Sequence, residues 1–354
     1  MREAKDQLLL MIVGRRKPNV PELPGNAALS TPIPVAMPSD LDISVVIPCF
    51  DRIELLERTL RACFRQRVTG DAWEIVVCDN HPDQLSRAAV EALQPLSPVA
   101  LRYLPAPARN IARARNVGCA AARGRYIAFV DDDEAPEAGW LQSYLDCLER
   151  TGADAAFGPK YPVFPTGKPP EWDPEAIYYT TDFKVPADTP IGRTGKWGRA
   201  LGAGNSFMRV ATCLAEALPF NETLGAADGE DAELYFRLFK AGRRFVWCPE
   251  AVVQEVQLPN RLTFDYMHQR LKRGSRTSAR CRMSVADRPL LTHAMLLAVG
   301  AAQVAVHGAL LVLSPRSRIE HRLGVARGLG KLTYRSGYTG FIESDRRVVA
   351  AASQ

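Results

Sequence analysis

Residues 124–134 read GRYIAFVDDDE, and their polarity changes at a single point. The run YIAFV at 126–130 has no polar alternation, the pattern of a strand buried on both faces of a parallel sheet. It ends in Asp131, Asp132, Asp133 and Glu134. Four carboxylates at the end of a central strand repel one another, so a fold must offset them with a cation or with positive side chains. Open α/β sheets bind their ligands at that edge. A solvated acidic turn is the plainer alternative, but a cluster placed directly after a buried run is a narrower pattern and favours a metal.

The flanking sequence repeats this design. Residues 43–47 (ISVVI) form a buried strand closed by Pro48, and Leu55, Leu56, Thr59, Leu60, Cys63 and Phe64 then follow a helical period. WEIVVC at 73–78 is a second buried strand, ending in Asp79 and Asn80; 99–104 is a weaker third, and 110–122 is an Ala-rich helix carrying Arg113 and Arg115. Downstream, a helix is expected from about 137 to 150 and a short strand at 153–160. Alternating strands and helices indicate an α/β fold with a doubly wound, mostly parallel sheet and helices on both faces. Polar groups then gather at the strand ends: Asp51, Asp79 and the acidic cluster. A nucleotide lying across this edge would find Asp79 placed to accept from its base or ribose. A lone Asp caps a helix equally well. No G-x-G-x-x-G follows the first strand and no G-x-x-x-x-G-K-[ST] occurs, which disfavours a dinucleotide dehydrogenase and a P-loop NTPase.

VVIPCFDR (45–52), EIVVCDN (74–80), ARNIARARNVGCAAARGRYIAFVDDDE (108–134), GAGNSFMR (202–209) and GEDAELYFRLFKAGRRFVWCPEAVV (229–253) occur in this order across 41–260. Together they resemble the successive motifs of family 2 glycosyltransferases, in particular bacterial enzymes of exopolysaccharide and cell-surface glycan assembly such as succinoglycan glucosyltransferases. The resemblance implies a GT-A, Rossmann-like fold, a nucleotide-sugar donor such as a UDP-hexose, and a Mn or Mg ion. It places Asp79 at the nucleotide base, Asp133 on the metal and Asp131 or Asp132 near the ribose. Pro48, Asp51 and Arg115 match positions lining the donor pocket. Two departures stand out: Asp51 occupies a position where Asn is commoner, and Glu255 lies near where many relatives carry a metal-binding His.

Glu230, Asp231 and Glu233 open an amphipathic helix carrying Leu234, Tyr235, Leu238 and Phe239. Acidic residues in a first turn ordinarily complement the helix dipole. The resemblance instead assigns Asp231 as the catalytic base of an inverting transfer. The acceptor side is expected within 161–205, where Trp172, Tyr178, Tyr179 and Trp197 offer faces for sugar rings or simply pack against the sheet. Asn205 and Ser206 match positions that contact donor or acceptor in relatives.

Composition and charge set the remaining limits. The 354 residues are 47% hydrophobic, enough for a sizeable core. Eight singly spaced cysteines indicate neither a zinc site nor a disulfide framework, and reduced thiols fit a cytoplasmic compartment. Residues 8–13 are apolar but too few to span a bilayer, the basic cluster Arg15 to Lys17 follows them, and 18–38 read as a Pro-rich linker. The division expected is therefore 1–40 extension, 41–260 catalytic domain and 261–354 basic helical region.

Residues 41–260 hold 24 Lys/Arg against 30 Asp/Glu, whereas 261–354 hold 16 against 5. A basic helical stretch at 261–282 is followed by 290–313, which contains no charged residue and is long enough to cross a membrane. His293, Gly300, Gln303 and His307 nevertheless line one helical face, which favours an interfacial or protein-packed helix over a lone span. The tail is therefore expected to hold the enzyme at the inner face of the cell membrane, facing a glycan or lipid-linked acceptor, with a packed helical subdomain as the alternative. A catalytically silent sugar-nucleotide binder and a nucleic-acid-binding protein using the basic tail are the other function classes. Glu230 and Asp231 speak against the first, and the acidic body and lack of a recognition module against the second, so no specific nucleic acid is expected.

Overall fold

The computed structural model describes residues 41–70, 72–192, 201–225, 229–313 and 318–335. The apolar and Pro-rich stretches before residue 41, and Trp197, lie outside them. The chain runs β1 (Ile43–Cys49), α1 (Ile53–Cys63), β2 (Trp73–Asp79), α2 (Arg87–Leu93), β3 (Ala100–Pro105), α3 (Ile111–Ala121) and β4 (Tyr126–Phe129). It continues through β5 (Glu134–Pro136), α4 (Trp140–Thr151), β6 (Ala155–Phe157), β7 (Lys160–Val163), β8 (Ser206–Arg209) and α5 (Val210–Cys213). The last elements are α6 (Glu230–Lys240), β9 (Phe245–Trp247), β10 (Val253–Val256), α7 (Phe264–Ser284), α8 (Pro289–Leu313) and α9 (Arg318–Leu332).

Seven strands form the main sheet in the order β3-β2-β1-β4-β8-β6-β9. Every residue of β1 and β2 is buried, as unbroken apolar runs require in a sheet covered on both sides. Strand alternation divides their side chains. Val45, Ile47, Ile75 and Val77 enter one core with Leu56 and Leu60 of α1 and Leu141 of α4. Val46 and Val76 enter the other with Ala112 and Ala114 of α3 and Leu234 of α6. The doubly wound arrangement follows directly from that division.

The sheet is not parallel throughout. β8 runs antiparallel to both β4 and β6. Its four residues follow a long excursion whose described residues contain no crossover helix, and the chain enters the sheet from the opposite end. The single strand expected at 153–160 is also split at Gly158 and Pro159: β6 stays in the main sheet, while β7 joins β5 and β10 in a small three-stranded sheet. Glu134 consequently begins a strand, paired with Glu255 of β10, instead of extending an acidic turn. α4 starts at Trp140, later than expected, because Gly139 ahead of it adopts a left-handed conformation with φ of 82°.

α7 is capped by Thr263, whose hydroxyl accepts from Tyr266 N at 3.2 Å. It packs along α6, and α9 packs against both α7 and α8.

Candidate active site

Four carboxylates at the β4 edge meet four cations. Arg52, just past β1, pairs with Asp132 at 2.6 Å and also with Asp133. Arg261, ahead of α7, reaches Asp133 at 3.4 Å. Arg115 of α3 pairs with Asp131 at 3.1 Å, and Lys160 of β7 with Glu134. Phe50 N donates to Asp132 at 3.3 Å, and Thr59 donates to the backbone carbonyls of Asp132 and Glu134 at 3.0 and 2.6 Å. Burial pushes the Asp132 carboxyl up to about 7, with Arg52 opposing and Asp133 and Asp131 adding. At Asp131 burial acts in the same direction, but Arg115 and Lys160 outweigh it and hold that carboxyl below its usual range.

Arg115 joins this cluster to the second acidic motif. Only 3% of its side chain is exposed, and its other terminal nitrogen pairs with Glu230 at the start of α6. Asp131 and Glu230 are thus held on one guanidinium, although 99 positions separate them in the chain. The loop 202–205 makes a second bridge. Ala203 N donates to Asp231 at 3.2 Å. A Cβ on Gly204 would lie 2.4 Å from an Asp131 carboxylate oxygen and 2.7 Å from both Glu134 Oε1 and Lys160 Nζ, so a side chain here would have to displace the ends of the paired charges. Asp231 is half-buried, and its second oxygen accepts from Ala232 N at 2.6 Å.

The other expected positions divide. Pro48 is buried in β1 opposite Cys78. Asp51 is exposed in the bend that follows. Asp79 is fully buried at the end of β2; it accepts from His81 N, Ser86 N and the Tyr103 hydroxyl, each at 2.9 Å. The carboxylate organises the turn leading into α2 without capping that helix, whose N-cap is Ser86. Asn205 braces the interior. Its amide donates to the carbonyls of Pro159 and Ala251 and accepts from Trp140 and Tyr144, so with 1% exposure it offers nothing to a sugar. Ser206 donates to Ala203 O at 2.6 Å and fixes the loop. Trp172 and Tyr179 donate to the carbonyls of Leu262 and Arg261, and with Tyr178, Phe264, Met267 and Leu323 they form a small core. They pack, as the alternative reading had it, but against the C-terminal helices and not against the sheet.

Sequence reasoning missed Arg52, Lys160 and Arg261. Four carboxylates at one strand end announced that cations were needed, yet nothing in the chain distinguished these three among 45 Lys and Arg.

Among the described residues no three Asp, Glu, His or Cys side chains converge as a metal-ligand group. The donors at Asp133 still suit a hard divalent ion. Mg and ions like it are commonly held by one or two carboxylates plus substrate phosphates, without a full protein cage. The position already attracts cationic groups, since Arg52 and Arg261 converge on one Asp133 oxygen.

A mostly parallel sheet whose central strand ends in acidic residues, linked through a glycine loop to a carboxylate on a facing helix, places a ligand site at the strand ends. The chain belongs to glycosyl transferase family 2, whose model matches residues 44–202. It is 30% identical over 247 residues to the succinoglycan biosynthesis protein ExoM of Rhizobium meliloti, covering 69% of this chain and 76% of that one. The pre-mycofactocin glycosyltransferase of Mycobacterium tuberculosis is 29% identical over 234 residues, 64% of this chain and 45% of the relative. The same fold occurs in a mannosyltransferase from Pyrobaculum calidifontis solved with GDP-Man and Mn2+ (TM-score 0.55, 16% identity, 86% of this chain and 91% of that one). It occurs also in S. aureus TarS solved with UDP-GlcNAc (TM-score 0.52, 15% identity, 84% and 92%).

Proposed function

We propose that this glycosyltransferase moves a hexose from a nucleotide sugar, with inversion, to a hydroxyl of a glycan or lipid-linked acceptor during bacterial surface-polysaccharide synthesis. The observation that carries this reading is the double link between the two acidic motifs, through Arg115 and through the loop at 202–204. Residues 41–260 would carry the chemistry and 261–354 would hold the enzyme at the cytoplasmic face of the membrane.

In this reading Asp133 would hold a Mn or Mg ion, and the ion supplies charge neutralisation for a diphosphate leaving group. Asp131 or Asp132 lies beside the ribose. Pro48, Asp51 and Asp79 border the nucleotide, Asp79 chiefly by fixing the 80–86 turn. Arg52 and Arg261, released from Asp133, turn their guanidinium groups toward the donor phosphates, which suit planar bidentate recognition. Asp231 takes the proton from the attacking hydroxyl. The new bond forms at the anomeric carbon as its bond to the phosphate oxygen breaks on the opposite face, and a nucleoside diphosphate leaves. Ala203 N and Ala232 N fix the Asp231 carboxylate for that transfer.

A panel of sugar nucleotides tested for Mn- or Mg-dependent thermal stabilisation checks the reading. One donor should raise the melting temperature only with the ion present. Stabilisation by none, or by one equally well in chelator, would contradict it. A nucleic-acid reading would have to use a tail part of whose charge is engaged internally. Arg276, Arg280 and Lys331 are spent on Thr333, Tyr334 O, Ser275 and Gln303 within the helical region itself.

A further inference from the structure

α8 is polar where it is covered and apolar where it is not. His293 bonds the Tyr334 hydroxyl at 2.8 Å, Gln303 accepts from Lys331 at 2.8 Å, and His307 meets His321 at 3.2 Å. Gly300 is buried against the carbonyl of Gly328 and the side chain of Leu332. The whole polar stripe therefore faces the α9 segment. Leu291, Met295, Val299, Val306, Val312 and Leu313 lie on the remaining surface, each between 46% and 81% exposed. Of this 25-residue helix only Leu296 and Gly300 are buried.

Monomeric soluble proteins rarely leave so long an uncharged stripe open. Charge selects what covers it. Arg288 precedes α8, and the exposed Arg335 follows Tyr334 at the same end of the helix. Arg318 and Arg322, with Glu320, are exposed at the first turns of α9, where the His307–His321 contact places the other end. Asp287 is engaged by Lys240. Both ends are thus basic, and two copies of this face would set arginines against arginines whether they paired parallel or antiparallel. An anionic bilayer surface complements both ends at once.

The packing also fixes the posture. If α8 crossed the membrane it would carry its partner α9 with it, including Arg318, Glu320, Arg322, Arg327 and Lys331, and charged groups at bilayer depth are costly. We propose that α8 lies in the plane of an anionic membrane surface, with Leu291, Met295, Val299 and Val306 among the acyl chains and α9 between it and the catalytic body. This rests on the membrane location proposed above and specifies which face makes the contact.

The test is flotation of the full chain with phosphatidylglycerol or phosphatidylcholine vesicles. Wild type should float with phosphatidylglycerol at low salt, and V299D/V306D should partition at least about tenfold less. The variant's affinity for the nucleotide sugar should be unchanged, which separates this result from any failure of the catalytic reading. Undiminished flotation of the variant, or a wild type that stays in solution as a dimer which the variant dissolves, overturns the proposal. A second measurement does not depend on how the double variant folds. Tryptophan placed singly at Met295, Val299 or Val306 should be quenched equally by lipid brominated near the headgroup. Quenching whose depth changes along the helix would mean a span and would also overturn it.

Discussion

The β4 edge and α8 solve opposite burial problems. At the edge, charged groups are buried and each finds a partner: Asp131 with Arg115, Asp132 and Asp133 with Arg52, Glu134 with Lys160. Along α8, the polar groups are covered and paired while apolar side chains stay outside. Burying ions is costly enough that a cluster held this way signals chemistry, and exposing a long apolar face signals contact with something not aqueous. The contrast separates a site that acts on a ligand from a surface that places the molecule.

The largest effect expected from breaking the edge comes from Arg115→Met. It strands Asp131 and Glu230 together, and loss of one partner from a buried pair costs on the order of 3–5 kcal/mol. Denaturant unfolding measures it, and a change below about 1 kcal/mol would mean that the two acidic motifs are not held together by this guanidinium. Next is Asp133→Asn. Metal-dependent nucleotide affinity should fall by at least the roughly 10- to 100-fold seen when even an outer partner of a ligand is removed. Calorimetric titration with UDP and Mn reads it, and unchanged affinity would move the ion elsewhere.

Arg52→Gln sharpens the same region with the opposite sign. Removing the guanidinium that occupies Asp132 and Asp133 should raise Mn affinity without nucleotide by about tenfold, while UDP–Mn binding weakens. Mn titration followed by electron paramagnetic resonance distinguishes the two, and weaker binding of the bare ion would show that Arg52 does not compete for the carboxylates. The smallest effect is expected on the other side of the comparison. Gln303→Leu removes one acceptor from Lys331, which keeps Ser275 and the Arg327 carbonyl, so stability should drop by about 1 kcal/mol or less. Membrane partitioning should not fall, since Gln303 faces α9.

How much of this was legible in the chain depends on how local the signal is. β1, β2 and β4 were readable because strands covered on both faces must be apolar along their whole length. β8 was not, because four residues in a motif-like stretch carry no period and give no sign of the end from which they enter the sheet. The acidic cluster was readable, and so was its need for positive charge. Its partners were not: Arg52 stands beside the expected Asp51, yet the arginine reaches the carboxylates and the aspartate points to solvent. In α8 the period exposed two unlike faces, but choosing the covered one required α9 and Tyr334 after it, since the Tyr334, Lys331 and His321 contacts are long-range. The packing of Trp172 and Tyr179 was hidden for the same reason, since their partners lie some 80 to 90 residues away, at Arg261 and Leu262.

The assignment of Asp231 as the base, across the loop from the acidic strand end, is the centre of the proposed reaction. It is tested most directly by measuring transfer rate and donor affinity on the same preparation of Asp231→Asn. Donor affinity should stay close to wild type, because the ion-holding and nucleotide-bordering residues are untouched, while transfer falls by about 10²- to 10⁴-fold. Near wild-type transfer with normal donor binding would contradict the account and place the base elsewhere.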